Sequence, residues 1–170
     1  MQAAVMANQD PQQAARIAFQ IQDATTRTLA LTEIAPMYSK VNGEDSASWV
    51  KKGEKQLDGL PADVTKLKLL TSLAKVYFEQ EQQGKALQYM NRAFDLGEEL
   101  FEQDLTANPG KMAYTADGEE ELDDLAAAAA QYLQDPNSVV TKVNSTENEL
   151  LKAHLQVAAA TGLMHRSKRD

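Results

Sequence analysis

LTSLAKVYFEQEQQGKALQYMNRA, residues 70–93, decides how the rest of the chain is read. Apolar positions fall at Leu70, Leu73, Ala74 and Tyr77, a polar break follows at Gln82-Gln83-Gly84, and small or apolar residues resume at Ala86, Met90 and Ala93. Apolar residues three and four apart form one stripe on a helix, so the stretch predicts two amphipathic helices meeting at a tight turn. Gly84 is expected to end the first of them in the left-handed conformation that a helix stop favours. Ala74, Ala86 and Ala93 lie inside the stripes, where small side chains let two helix backbones approach. A helix pair of this kind buries its apolar faces only against further copies of itself.

Working outward, the composition is that of a globular chain: 170 residues, 43% hydrophobic and 25% charged. The length fits a single domain, residues 1–170, with room for a sizeable core. The absence of cysteine excludes disulfides, thiolate metal sites and a cysteine nucleophile. A formal net charge of −8 disfavours nucleic-acid and anionic-membrane binding, since both draw affinity from clustered Lys and Arg. The basic end, His165-Arg166-Ser167-Lys168-Arg169, reads as a solvated tail. No run of about 20 apolar residues is present, so no transmembrane helix is expected. Met1 to Asn8 lacks the basic start and apolar run of a signal peptide. The sequence leaves the compartment open between the cytoplasm and a mature or excised part of an exported protein.

Along the chain, Asp10-Pro11-Gln12-Gln13 predicts a capped helix start with Ala14, Ile17, Ala18 and Ile21 on one face. Asp23 is placed to cap a second helix running to about Val41, ended by Asn42-Gly43. Asp45 or Ser46 is expected to cap a third, with Ala47, Val50 and Leu57 inward and Trp49 near the core. Gly59 and Pro61 punctuate, with Pro61 expected at the start of the fourth helix, which holds Leu70 to Tyr77. The fifth begins at Gly84 and continues through Leu87, Met90, Ala93, Leu96, Leu100 and Phe101. Thr106 to Asp117 reads as a surface loop, and Asp117-Gly118-Glu119-Glu120 as the dipole-matched start of a sixth helix. Asp135-Pro136 opens a short helix with Val139, Val140 and Val143. Asn144 or Ser145 is expected to cap the last, with Leu151, Leu155, Val157 and Ala158 inward.

Three of the five tyrosines, Tyr38, Tyr77 and Tyr132, close the same apolar-x2-apolar-Ala-x2-Tyr pattern, which argues for internal repetition. The copies are Leu31, Ile34, Ala35, Tyr38; Leu70, Leu73, Ala74, Tyr77; and Leu125, Ala128, Ala129, Tyr132. With Ala86, Met90 and Ala93, the central copy resembles the tetratricopeptide repeat, whose helix pairs carry Trp-x2-Leu-Gly-x2-Tyr…Ala-x3-Phe…Ala. Residues 28–41 and 122–134 match the first helix of such a pair. After Tyr38, Ala47 falls at the family's distance, while Lys51 and Glu54 stand at places the family keeps apolar. The resemblance implies an all-α fold: an α-solenoid of about eight antiparallel helices in helix-turn-helix pairs, wound as a right-handed superhelix. It also implies a concave face that binds a peptide or protein segment, with no catalysis, cofactor or metal. Carried over residue by residue, that face comprises Leu29, Thr32, Glu33, Pro36 and Lys40, then Lys68, Thr71, Ser72, Lys75 and Phe78. The family's carboxylate grip uses Lys, Asn and Arg; only Lys68 and Lys75 match it here.

Other constellations read more simply as structure. Glu149 and His154 are five apart, a poor fit to two ligands on one helix turn. Two histidines and no cysteine make the usual nucleophilic triads improbable. The acidic run Glu119 to Asp124 lacks the alternating oxygens and glycine turn of a calcium loop and reads as a solvated helix start. Asn144-Ser145-Thr146 matches a glycosylation acceptor but serves equally as a cap. The expected function is therefore a non-enzymatic protein–protein interaction module, monomeric or weakly self-associating. The alternative is a spacer or self-assembly segment of a larger protein; an α-helical enzyme or small-ligand binder is the third reading.

Overall fold

The computed structural model describes residues 10–107 and 116–167. Among them are eight helices and no strand. They are α1 (Pro11–Phe19), α2 (Ala24–Tyr38), α3 (Gly43–Leu57), α4 (Val64–Glu79), α5 (Gln83–Ala107), α6 (Ala116–Tyr132), α7 (Asn137–Asn144) and α8 (Glu149–Arg166). The all-α class expected from periodicity holds. Most of the expected loop at Thr106 to Asp117 lies outside the described residues, although α5 runs through Ala107 and α6 begins at Ala116.

The starts follow from capping chemistry. Asp10 accepts from the Gln13 amide at 2.9 Å with Pro11 at the first helical position. Asp23 accepts from the amide and the hydroxyl of Thr26, both at 2.7 Å. Those bonds, the amide foremost, hold its carboxyl below the usual carboxylate range. Two expected caps are displaced. Asn42 rather than Asp45 or Ser46 caps α3, its side-chain oxygen accepting from Glu44 and Asp45. Ser46 is thereby carried into the helix, where its buried hydroxyl donates to the Ala35 carbonyl of α2 at 2.7 Å. Asn148 rather than Asn144 or Ser145 caps α8. Residues 144–146 complete α7 instead, the Ser145 hydroxyl donating to Lys142 and the Thr146 amide to Val143. The stop after α4 also differs from expectation. Glu81, with φ 57°, takes the left-handed position, and the Gln82 amide reaches back to the Tyr77 carbonyl. Gly84 lies in the first turn of α5.

By contact the chain divides after Pro61 into two units. In the first, α2 packs against both α1 and α3. Ser46 bonded to Ala35 at one end and Gln56 bonded to Thr25 at the other set α2 and α3 antiparallel. Trp49 is the hinge of this core. It is 5% exposed, with Phe19 edge-on at 5.8 Å and Tyr38 at 4.5 Å. Ala47, expected inward, is exposed; the buried stripe is Ser46, Trp49, Val50, Gly53 and Leu57.

In the second unit α4 packs on α5 and on α6, and α6 packs most extensively on α8. Tyr77 and Tyr89 stack at 5.7 Å across the α4–α5 pair, and the Lys85 ammonium donates to the Tyr77 hydroxyl. The helices α6 and α8 approach so closely at Gly162 that an added Cβ would lie 2.1 Å from the Ala127 carbonyl oxygen. Val157, expected inward on α8, points outward; the inner stripe is Leu151, Leu155, Ala159 and Gly162.

Two stability predictions follow from these contacts. Trp49→Ala is expected to cost about 3–5 kcal/mol by chemical denaturation, because it empties the centre of the first unit. Glycine-to-alanine changes should split by sign. Gly162→Ala forces α8 off α6 and should lower the melting temperature. Gly84→Ala, with open space around its Cβ, should stabilise by about 0.5–1 kcal/mol.

Candidate functional site

The ten residues carried over as a binding face divide by burial. In the first unit Thr32 is buried and its hydroxyl donates to the Thr28 carbonyl at 2.8 Å. Leu29, Glu33 and Pro36 are half-buried, and Lys40 is exposed just beyond the end of α2. In the second unit Thr71, Ser72 and Phe78 are buried, while Lys68 and Lys75 are half-exposed. The expectation that Thr32, Thr71, Ser72 and Phe78 line an open surface is overturned. The physical reason is that α4 is buried nearly all round: ten of its side chains lie in the core. A motif-bearing helix whose outer side is also covered has no concave side to offer at those positions.

Polar residues of α4 instead form a seam with α6. The Thr71 hydroxyl lies 2.9 Å from both Glu121 Oε2 and the Lys68 carbonyl of its own helix, and the Lys75 ammonium pairs with Asp124 at 3.3 Å. Glu121 and Asp124 belong to the acidic run expected to be a solvated helix start. Asp124 stays largely exposed as expected, whereas Glu121 is half-buried against α4 and Leu122 between them is fully buried. These bonds join residues 50 and 49 positions apart, both rising along the chain, so α4 and α6 run side by side in parallel. Lys142 pairs with Asp95, and Glu98 accepts from the Glu147 amide at 2.6 Å, linking α5 to α7 and the turn after it at almost the same offset. The end of α6 is held twice. Gln83 at the start of α5 donates to the Tyr132 carbonyl and accepts from the Gln134 amide at 3.1 Å. Arg166 of α8 donates to the carbonyls of Leu133 and Gln134. Arg166 is therefore no solvated tail residue; it caps a helix C-terminus, where a cation is favoured. The bond to Leu133 spans 33 positions and, with Gly162 against Ala127, sets α8 parallel to α6.

The aromatic expectations resolve similarly. Tyr77 is buried as expected of a motif residue, whereas Tyr38 and Tyr132 are half-buried. Tyr89 is 8% exposed and stacked on Tyr77. His154 is half-buried on α8 and His165 is exposed. Among the described residues no three His, Asp or Glu side chains converge as a metal site, and no helix is long and apolar enough to cross a membrane.

One surface escaped the reading of the sequence. Leu150, Val157 and Met164 on α8 are 42%, 70% and 64% exposed. The signal was present as a seven-residue repeat, but it runs beside the inner stripe and merges with it when apolar positions are counted together.

No protein-family model, curated protein or solved structure matches the chain.

The seam predicts two different costs. Thr71→Val leaves Glu121 without its buried donor and should destabilise by about 1 kcal/mol. Lys75→Ala removes a partly exposed ion pair and should change stability by less than about 0.5 kcal/mol in the same denaturation assay.

Proposed function

We propose that the chain is a non-catalytic protein–protein interaction module, a tetratricopeptide-like α-solenoid whose ligand is a protein or peptide segment. The observation that carries this reading is the parallel alignment of α4, α6 and α8, with α5 and α7 returning between them. Stacked helix pairs in tandem are the architecture the repeat motif implies, and such arrays work as binding surfaces. The chemistry is in keeping: the polar groups of the second unit bond to one another in seams between helices. Candidate contacts are Leu29, Glu33, Pro36 and Lys40 in the first unit and Lys68 and Lys75 in the second. Thr32, Thr71, Ser72 and Phe78 act in the core.

The test is affinity capture from extract of the source cell, with the intact chain as bait and Lys68→Glu/Lys75→Glu as control. A polypeptide retained by the native bait and lost with the charge-reversed one, at unchanged helical circular dichroism, is the expected result. Equal retention by both removes these lysines from the binding surface. Retention of no polypeptide by a folded native bait counts against the module itself.

A further inference from the structure

Asn42 stands between α2 and α3, and it is the one asparagine of the chain that precedes a glycine. That pair carries a reaction of its own. The backbone nitrogen of the following residue can attack the asparagine Cγ, and glycine, without a side chain, shields that nitrogen least. A C–N bond forms, the Cγ–Nδ2 bond breaks, ammonia leaves with the amide proton, and a five-membered imide remains. Water then opens the imide at either carbonyl and gives aspartate or isoaspartate. One water enters, one ammonia departs, and no oxidant or cofactor is consumed. The site is open to water: Asn42, Gly43, Glu44 and Asp45 are all exposed, and a Cβ built on Gly43 meets nothing within 4 Å. As the first residue of α3, Gly43 presents an amide that no carbonyl of the helix accepts.

The fold holds this reaction back. The Asn42 side chain is pinned at both of its polar atoms: Oδ1 accepts from the Glu44 and Asp45 amides at 3.1 and 3.2 Å, and Nδ2 donates to Asp45 Oδ2 at 2.8 Å. Its backbone is held as well, the amide donating to the Tyr38 carbonyl at 3.0 Å and the carbonyl accepting from Ser46 at 3.2 Å. The residue lies at φ −151° and ψ 101°. At that ψ the Gly43 nitrogen points away from Cβ, and attack on Cγ requires ψ to turn negative until the nitrogen eclipses Cβ. That rotation breaks the cap. We propose that Asn42–Gly43 is a self-modification site, a deamidation timer gated by local opening of the α3 cap. Helix ends open more readily than the whole chain unfolds, so the gate works in the folded protein. The product does not restore the closed cap. Aspartate at position 42 sets a second carboxylate against Asp45 where a donor had been. Isoaspartate lengthens the main chain by one carbon, because the chain then runs through Cβ. Either change falls four residues before Ser46, whose buried hydroxyl ties α3 to the Ala35 carbonyl, and one further turn before Trp49. Chemistry at one exposed turn thus loosens the core of the first unit.

Peptide mapping by mass spectrometry of the intact chain, aged at mildly alkaline pH in buffer or in concentrated urea, reads the reaction directly. Conversion of amide to acid is expected at Asn42 before any other asparagine. It should run about 10- to 100-fold more slowly in the folded chain than in urea, the protection of a helix end that opens locally. Gly43→Ala, with room for its Cβ, should suppress conversion in both states. Asp45→Ala frees Nδ2 and should speed conversion about 3- to 5-fold in the folded chain while leaving the rate in urea unchanged. Circular dichroism checks that both variants are folded. The converted chain, separated by its added negative charge, should melt about 2–4 °C lower, the shift that one lost cap produces in a chain of this size. Equal rates in buffer and urea, or an Asp45→Ala variant no faster than the native chain when folded, overturn the gate. A folded chain still unconverted at Asn42 after about 100 half-lives of the denatured one, or a converted chain that melts unchanged, overturns the timer.

Discussion

The second unit depends on the burial of α4. Leu70, Leu73, Ala74 and Tyr77 make the expected stripe and Leu67 extends it, but Leu69, Ser72, Val76 and Phe78 on other sides of the helix are buried too. A 16-residue helix covered nearly all round is a core element rather than a surface one. This one constraint explains why α5 and α6 both lie against it. It also explains why its buried hydroxyls find partners within the protein: Thr71 on Glu121 and the Lys68 carbonyl, Ser72 on the Lys68 carbonyl.

Around that helix the unit is tied at its ends. The carbonyls at the end of α6 would be left over by the helix hydrogen-bond pattern, and Gln83 and Arg166 arrive from two different helices to meet residues 132–134. The close passage of α8 over Ala127 and Ala130 is possible because residue 162 has no side chain and the facing residues have the smallest ones. The alanine-rich run of α6 is thus a packing surface for α8. The first unit solves the same problem with one large residue: Trp49 gathers Phe19, Tyr38 and the helices that carry them.

Much of the helix plan was legible in the sequence because it rests on local chemistry. Asp10-Pro11 and Asp23 cap where they stand, since a carboxylate three residues before a free amide needs no help from elsewhere. The displaced caps at Asn42 and Asn148 show the limit of that logic. Several residues in each turn can accept the same amide, and the one used depends on where the preceding helix ends. At the α4–α5 turn the glycine looked like the stop, yet Glu81 adopts the left-handed conformation while the chain heads into α5. The candidate binding face was least legible. Periodicity places Thr71 and Phe78 off the Leu70–Tyr77 stripe, but it does not reveal that a second neighbour covers them.

The sequence by itself determined that this is an all-helical protein, where most of its helices begin, and that Leu70 to Ala93 makes a helix pair with closely packed small residues. These are consequences of hydrogen bonding and side-chain spacing within a few residues. Only the tertiary structure decided which side of each helix meets which neighbour. It buried Phe78 and Thr71, turned Val157 and Ala47 outward, drew Glu121 and Asp124 into a seam, and left one side of α8 apolar and uncovered. Those outcomes depend on contacts between residues 30 to 50 positions apart, and no local pattern encodes which of two plausible stripes on a helix will find its partner inside the chain.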